Sequence, residues 1–170
     1  MPPGHKIGVL IVDDIAETRE NIKKLLQFEA DIEVVGTAKT GKEAVTLAKE
    51  KRPNVVIMDI NMPDMDGITA TELIAKDVPS AQIVILSVQS DADYLRRAMM
   101  AGARDFLTKP PSGDELISTI RRAYEISRLR ITTMPAQAMA GPGGQAMAPQ
   151  EGKIITIYSA KGGVGCTTLA

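Results

Sequence analysis

This chain of 170 residues has few of the residue types that mark disulfide-bonded, zinc-binding or nucleic-acid-binding proteins. It has one cysteine and one histidine, which excludes a disulfide framework and any histidine–cysteine metal cluster and is typical of a reducing compartment. The formal net charge is −1, so no basic excess predicts binding to nucleic acid. No apolar run approaches the roughly 20 residues of a membrane span, and the first residues lack a signal-peptide pattern. We therefore expect a cytoplasmic protein without membrane insertion.

From residue 7 to residue 130 the sequence alternates between strand-like and helix-like segments. The strand-like segments are short and rich in β-branched residues, and most lack polar alternation, which is typical of strands covered on both faces. They span 7–12, 32–38, 54–58, 82–87 and 104–108. The helix-like segments, with apolar residues at helical spacing, span 15–28, 41–50, 68–75, 92–101 and 114–129. Five such βα units predict an α/β, doubly wound fold with a parallel sheet.

The composition changes after Arg130. Residues 132–150 contain no charged residue and are rich in Ala, Gly, Pro, Gln and Met, which is typical of a flexible linker. A helical extension is the alternative, but Pro135, Pro142 and Pro149 argue against it. We expect one domain over 6–130, a linker over 131–152 and the beginning of a second domain over 153–170.

Acidic residues and a lysine follow the apolar runs of three predicted strands. Asp13 and Asp14 follow the first run, Asp59 the third and Lys109 the fifth. The carboxyl ends of the strands in an open α/β sheet form the edge where ligands bind, so these side chains should share one polar site. Crowded carboxylates raise one another's pKa unless a cation neutralises them, and Mg²⁺ fits because it needs only one or two carboxylates. A carboxylate beside that metal can act as a nucleophile on phosphorus.

Four stretches, each at the end of a predicted strand, resemble the receiver domain of response regulators. They are Val12-Asp13-Asp14, the run MDINMPDMDG at 58–67, Ile85-Leu86-Ser87, and 101–110 with its final Lys-Pro. The resemblance covers 6–130 and implies a CheY-like (βα)5 domain with the flavodoxin-like strand order 2-1-3-4-5. It implies Mg²⁺ as cofactor and a sensor histidine kinase or phosphotransfer protein as partner in a two-component system. It implies no enzymatic activity beyond self-phosphorylation and self-dephosphorylation.

The resemblance assigns the metal site to individual residues. Asp59 resembles the phosphoacceptor, and Asp14 resembles a direct metal ligand. Asp13 resembles a ligand that acts through water, and Asn61 resembles the residue that offers its backbone carbonyl to the metal. By analogy Asn61 also flanks the water that attacks the phosphoryl group. Gly67 is interpreted as a backbone-permissive residue in the loop before the third helix.

Further residues resemble those that read the phosphoryl group. Ser87 and Lys109 resemble the hydroxyl and the lysine that hold its oxygens, and Lys109-Pro110 resembles the family's cis peptide. Phe106 resembles the switch aromatic, with a purely structural role in the core as the alternative. Gln89 by analogy flanks the attacking water and tunes the lifetime of the phosphoryl group.

Movement of the switch residues would change the face formed by the fourth helix, fifth strand and fifth helix. We expect this face to be a homodimer or partner surface, with an ordinary solvated surface as the alternative. The charged residues expected on it are Arg96, Arg97, Asp105, Arg121 and Arg122.

The end of the chain carries a glycine-rich stretch after a short apolar segment at 153–158. Glycines in such a stretch let backbone N–H groups approach phosphate. The residues concerned are Lys161, Gly162, Gly163, Gly165 and Thr167. The stretch resembles the deviant phosphate loop of MinD/ParA-type ATPases, with Lys161 as the lysine near the start of the loop, although Cys166 stands where the ordinary phosphate-loop pattern has a lysine. A receiver joined to such a loop resembles CpaE/TadZ-type pilus-assembly proteins, but one strand and a loop cannot bury a core, so we expect no ATP hydrolysis from this stretch.

Three functions compete at this point. The first is a phosphorylatable signalling domain that controls an attached ATPase-like domain. The second is a docking or dimerisation module that acts without obligatory phosphorylation. The third is a phosphatase-type enzyme with an aspartate nucleophile, which position 61 disfavours because that chemistry usually needs a second acid where Asn61 stands.

Overall fold

The computed structural model describes residues 5–88 and 92–132, with side chains described up to residue 129. The strands are β1 (Ile7–Val12), β2 (Ile32–Ala38), β3 (Val55–Asp59), β4 (Gln82–Ser87) and β5 (Asp105–Thr108). The helices are α1 (Ala16–Leu26), α2 (Gly41–Lys51), α3 (Gly67–Asp77), α4 (Ala92–Ala101) and α5 (Gly113–Thr132). Strands and helices alternate as the sequence predicts.

All five strands pair in parallel in the order β2-β1-β3-β4-β5, which confirms the predicted fold and strand order. The central strands β1, β3 and β4 are buried along their whole length. The edge strand β2 is partly exposed. Burial on both faces explains why the central strands read as unbroken apolar runs in the sequence.

Alternate residues of each strand point to opposite faces of the sheet, and the core has two layers accordingly. On one face Leu10 and Met58 pack with Ala44 and Ile74 of α2 and α3. On the other face strand residues pack against α1 and α5. The fully buried members of that second layer include Ile11, Ile57, Leu86, Ile22, Leu26, Leu116 and Ile120.

Six of the ten elements differ from the sequence-based expectation by one to three residues at an end, and two of these ends have a clear physical reason. β3 ends on Asp59 instead of residue 58, because Asp59 still pairs with Leu86 of β4. α5 continues to Thr132, two residues into the expected linker, since no glycine or proline interrupts it before Pro135. The rest of the expected linker, from residue 133, lies outside the described residues. Within the described part of the chain, no helix has the length and apolarity needed to cross a membrane.

Candidate functional site

The strand order brings the predicted polar residues to one edge of the sheet. β1 lies beside β3, with Val12 opposite Met58, so Asp13 and Asp59 extend from neighbouring strands. Lys109 follows β5, and its backbone N–H donates to the carbonyl of Ser87 at 2.8 Å. The acidic side chains and the lysine that the sequence places after three strands therefore meet at the carboxyl edge, as open α/β sheets favour for ligand sites.

Three carboxylates converge at this edge. Asp13, Asp14 and Asp59 each offer an oxygen atom, and these atoms lie within 4.8 Å of one another. Asp13 and Asp59 are buried, with 0% and 3% of their surface exposed, whereas Asp14 is exposed. Negative groups this close and this buried need a compensating cation, and a set of carboxylate oxygens fits a hard divalent ion such as Mg²⁺.

The two acids that follow β1 differ in their bonding. Asp13 Oδ1 accepts a hydrogen bond from the backbone N–H of Ile15 at 2.8 Å, and its Oδ2 lies 2.6 Å from Lys109 Nζ. Both carboxylate oxygens of Asp13 thus have a protein partner. Asp14 forms no hydrogen bond or ion pair with the described residues. The bond to Ile15 precedes α1, whose N-cap Ile15 has no side-chain capping bond, so neither acid caps the helix itself.

Lys109 is the cation that the described residues place among these acids. Its Nζ lies 2.6 Å from Asp13 Oδ2 and 3.2 Å from Asp59 Oδ1. The Lys109-Pro110 peptide is cis, as the family resemblance implies. Burial lowers the pKa of the Lys109 ammonium, but the hydrogen bond to Asp13 and the charge of Asp59 outweigh it and leave that pKa above its usual value. Lys109 therefore stays charged at neutral pH.

The pKa of Asp59 is raised above its usual value. Burial is the main cause, and the charge of Asp13 adds to it. The ammonium of Lys109 and the backbone N–H of Asn61, which donates to the Asp59 carboxylate, act in the opposite direction without cancelling the rise. A second cation near this carboxylate would favour its charged form.

The loop between β3 and α3 is held against the end of β3. The N–H of Gly67 donates to the carbonyl of Ile60 at 2.9 Å. A Cβ on Gly67 would lie 2.0 Å from the carbonyl oxygen of Asp59. The interpretation of Gly67 as a backbone-permissive loop residue is wrong: it is the first residue of α3 without a positive φ, and glycine is required there by close approach.

The structure places the two predicted switch residues on β4 and β5. Ser87 is buried at the end of β4, one strand away from Asp59. Phe106 pairs with Ile85 and is half-buried against the core layer that includes α3 and α4 residues. Gln89 lies outside the described residues.

The charged face expected around α4, β5 and α5 is present only in part. Arg122 pairs with Asp105, and the guanidinium of Arg97 lies 5.7 Å from the ring centroid of Tyr94, within cation–π range. Arg96 is exposed on α4.

Arg121 does not belong to this face, which corrects the sequence-based expectation. It forms ion pairs with Glu29 at 2.6 Å and Asp31 at 2.8 Å, both between α1 and β2. Successive helix residues point about 100° apart, so Arg121 and its neighbour Arg122 reach opposite neighbours of α5. The two nitrogens of Arg121 hold both oxygens of Asp31, and this hydrogen bonding lowers the pKa of Asp31 despite its partial burial.

Sequence reasoning missed Asp64 and an apolar groove. Asp64 accepts hydrogen bonds from the backbone N–H groups of Gly41 and Lys42. The groove runs from α1 to the segment after β5 and borders Lys109. Its apolar lining includes Ile15, Ile22, Leu25, Val88, Pro110 and Pro111. The sequence signals that could have indicated this groove were the apolar Ile15 directly after the acid pair and the second proline, Pro111, after Lys109-Pro110.

The phosphate-loop residues predicted near the end of the chain lie outside the described residues. They are Lys161, Gly162, Gly163, Gly165 and Thr167.

Comparison with known proteins gives one consistent family. A family model described as the response regulator receiver domain matches residues 9–121. The response regulator protein VraR of Staphylococcus saprophyticus is 37% identical over 118 residues, covering 69% of this chain and 56% of that protein. A protein-glutamate methylesterase/protein-glutamine glutaminase of Methanococcoides burtonii is 36% identical over 168 residues, covering 92% of this chain and 48% of that protein. The chain thus spans about half the length of these relatives.

Solved structures agree with the sequence relatives. The response regulator domain of Thermotoga maritima CheB matches with a TM-score of 0.67 and 37% identity, over 71% of this chain and 98% of that one. CheY in a CheX-CheY-BeF3-Mg²⁺ complex from Borrelia burgdorferi matches with a TM-score of 0.67 and 28% identity, over 71% of this chain and 91% of that one.

Proposed function

The chain belongs to the response regulator receiver family of two-component systems, and on that premise we propose that Asp59 accepts a phosphoryl group from a histidine kinase or phosphotransfer protein. The observation that carries the proposal is the convergence of Asp13, Asp14 and Asp59, whose oxygen atoms lie within 4.8 Å of one another. A structural cluster of this kind would be costly without a cation. Lys109 supplies one positive charge, which does not balance three carboxylates, so the site can accept a further cation.

The donor set fits Mg²⁺, a hard ion that prefers oxygen ligands. Asp14 and Asp59 would bind it directly, together with the backbone carbonyl of Asn61, and Asp13 would act through a water molecule. The bonding of Asp13 supports its indirect role, because both of its oxygens already have protein partners. When bound, Mg²⁺ supplies positive charge that offsets the negative charge on the phosphoryl oxygens.

In the proposed transfer, an oxygen of the Asp59 carboxylate attacks phosphorus. The bond from phosphorus to the donor nitrogen breaks, and its electron pair leaves with the imidazole of the donor histidine. Lys109, whose Nζ lies 3.2 Å from Asp59 Oδ1, would bind one phosphoryl oxygen, and the Ser87 hydroxyl would donate to another. Catalysis of this kind is mostly positioning and neutralisation of charge.

A protein donor is supported by the groove beside the site. The groove borders Lys109 and is lined by apolar side chains of α1 and the residue before it, of the residue after β4 and of the segment after β5. Ile15 and Val88 are 52% and 62% exposed, and a partner helix would cover them while its histidine approached Asp59. A small phosphodonor would leave these side chains in water.

The proposed output is a change at the face of α4, β5 and α5. Ser87 would move toward the phosphoryl group and Phe106 would turn into the space it leaves. Apolar side chains support a homodimer or partner surface on α4, where Met99 and Met100 are 46% and 81% exposed. Asn61 and Gln89 would tune the lifetime of the phosphoryl group.

The segment beyond the receiver has two candidate identities. Its glycine-rich stretch supports the start of a MinD/ParA-like domain and a role in regulating CpaE/TadZ-type pilus assembly. The similarity to a methylesterase/glutaminase over 92% of this chain supports an attached enzyme of that kind instead. Nucleotide binding and glutamate methylesterase activity, both measured on the full-length protein, separate the two.

Labelling with acetyl phosphate and Mg²⁺ tests the proposed acceptor. We expect wild-type protein to gain one phosphoryl group by intact mass, and Asp59→Asn to gain none. Asp77→Asn is the matched control, because Asp77 is a surface acid paired with Lys49. Equal labelling of Asp59→Asn would defeat the assignment. A protein that dimerises or binds its partner equally well with and without phosphorylation would favour the alternative, a docking module without obligatory phosphorylation.

A further inference from the structure

The loop between β3 and α3 is hydrogen-bonded to α2 as well as leading into α3. Asp64 lies in this loop, and its Oδ1 and Oδ2 accept the backbone N–H groups of Gly41 and Lys42 at 3.1 and 3.3 Å. These residues begin α2, 22 and 23 positions earlier in the chain. α2 already has an N-cap of its own, since Thr40 accepts from the N–H of Glu43. The carboxylate of Asp64 therefore fastens the loop, in addition to capping a helix.

Gly41, the first residue of α2, also packs closely against Met65 of the same loop. A Cβ on Gly41 would lie 2.8 Å from both the Cβ and the carbonyl oxygen of Met65, the residue after Asp64. Real Cβ atoms do not approach neighbours this closely, so the loop and α2 fit together only with glycine at position 41. Two independent observations, a pair of hydrogen bonds and a steric fit, thus fix the middle of the loop against α2.

The same loop carries the groups that meet the acid site. The backbone N–H of Asn61 is among the groups that act on the Asp59 carboxylate, and the N–H of Gly67 donates to the carbonyl of Ile60, the first residue after β3. The two ends of the loop are therefore bonded to each other beside the end of β3, and Asp64 restrains the segment between them. A shift of this segment would move the backbone of Asn61 relative to Asp59.

We propose that Asp64 is a positioning residue for the metal site, acting through the loop to fix the backbone of Asn61 beside Asp59. This inference rests on the proposed function, because it assumes that Mg²⁺ binds at Asp59. Asp64 itself is exposed and acts by its bonds to α2. Partners that orient metal ligands typically contribute about 10- to 100-fold to metal affinity, and we expect the lower end for an exposed residue.

Mg²⁺ affinity, measured by calorimetry on the whole chain, tests the proposal. We expect Asp64→Ala to weaken Mg²⁺ binding about tenfold. Thr40→Ala is the matched control, because it removes a cap from the same helix without touching the loop, and it should leave Mg²⁺ affinity unchanged. Equal Mg²⁺ affinity in Asp64→Ala and wild type, or equal losses in Asp64→Ala and Thr40→Ala, would overturn the proposal.

Two further variants separate position from charge. Gly41→Ala displaces the loop without removing any charge and should also weaken Mg²⁺ binding, whereas Gly113→Ala, with its Cβ at 3.4 Å from Leu25, should not. Asp64→Asn keeps one acceptor oxygen and should retain most of the affinity. If Gly41→Ala binds Mg²⁺ normally while Asp64→Asn loses as much as Asp64→Ala, charge explains the effect and the positioning role is wrong. Failure of the proposed function itself would show differently, as wild-type protein that neither binds Mg²⁺ nor is labelled at Asp59.

Discussion

Lys109 Nζ lies closer to Asp13 than to Asp59, at 2.6 Å against 3.2 Å. The lysine thus neutralises the acid whose other oxygen is already bonded to the backbone. Asp59 is left with the weaker contact and a pKa above its usual value. Asp59, the proposed phosphoacceptor, is therefore the buried acid of the site that gains most from an added cation.

Removal of the Lys109 charge should destabilise the metal-free protein. Lys109→Met leaves Asp13 and Asp59 buried without a cation, and we expect a loss of roughly 3 kcal/mol in the free energy of unfolding. Mg²⁺ should restore part of the loss, because it binds the folded state. Urea unfolding in EDTA and in Mg²⁺ measures both effects. Lys49→Met, which breaks a surface pair with Asp77, is the control, and a Lys109→Met protein as stable as this control would contradict the expectation.

Removal of the Asp59 charge should stabilise the metal-free protein at neutral pH. A raised folded-state pKa means that the contribution of Asp59 to stability is present below its ordinary value of 3.8 and is lost as pH rises through the folded-state value. At pH 7 and in EDTA, Asp59→Asn should therefore raise the free energy of unfolding, by about 1 kcal/mol. The gain should shrink as the pH is lowered toward 3.8. Thermal unfolding of both proteins across this pH range measures the difference. An Asp59→Asn protein less stable than wild type at pH 7 would contradict this expectation.

The ion pairs of Arg121 should stabilise the protein more at neutral pH than at acidic pH, which is the reverse of the pH dependence expected for Asp59. The lowered pKa of Asp31 means that its contribution to stability is present above the ordinary value of 3.8 and is lost as pH falls through the folded-state value. Arg121→Ala should cost about 0.5–1 kcal/mol at pH 7 and low salt, since the pair is near the surface. The difference from wild type should narrow in high salt and below pH 3.8. A difference that does not change with pH would show that the ion pair is not its cause.

Gly67→Ala tests the close approach of α3 to β3. The added Cβ would lie 2.0 Å from the carbonyl oxygen of Asp59, so the strand end or the helix must move, and we expect a loss of about 2 kcal/mol in the free energy of unfolding. Gly113→Ala is a matched control, because Gly113 also begins a helix but its Cβ would make an ordinary contact. Equal unfolding free energies for the two variants would contradict the steric argument.

The sequence predicted those parts of the site that depend on strand ends. These parts are Asp13, Asp59 and Lys109, each of which follows or ends a strand. A parallel sheet brings the carboxyl ends of its strands to one edge, independently of how the helices pack. Apolar runs and helical periodicity likewise predicted the ten elements, because the core imposes both patterns.

Contacts that depend on how the elements pack could not be predicted from the sequence. The sequence places Arg121 on the face of α4, β5 and α5, but the rotation of α5 about its axis sets which neighbour Arg121 meets, and only packing fixes that rotation. Asp64 bonds to backbone groups 22 and 23 residues away, and backbone groups carry no sequence signal. The reason for glycine at position 67 is equally a matter of distance between two elements.

A crystal structure of the protein with Mg²⁺ and beryllofluoride would show directly whether Asp59 is the phosphoacceptor. We predict beryllofluoride bonded to a carboxylate oxygen of Asp59, with Mg²⁺ contacted by Asp14, Asp59 and the backbone carbonyl of Asn61. Beryllofluoride on another residue, or Mg²⁺ bound away from Asp59, would contradict this prediction.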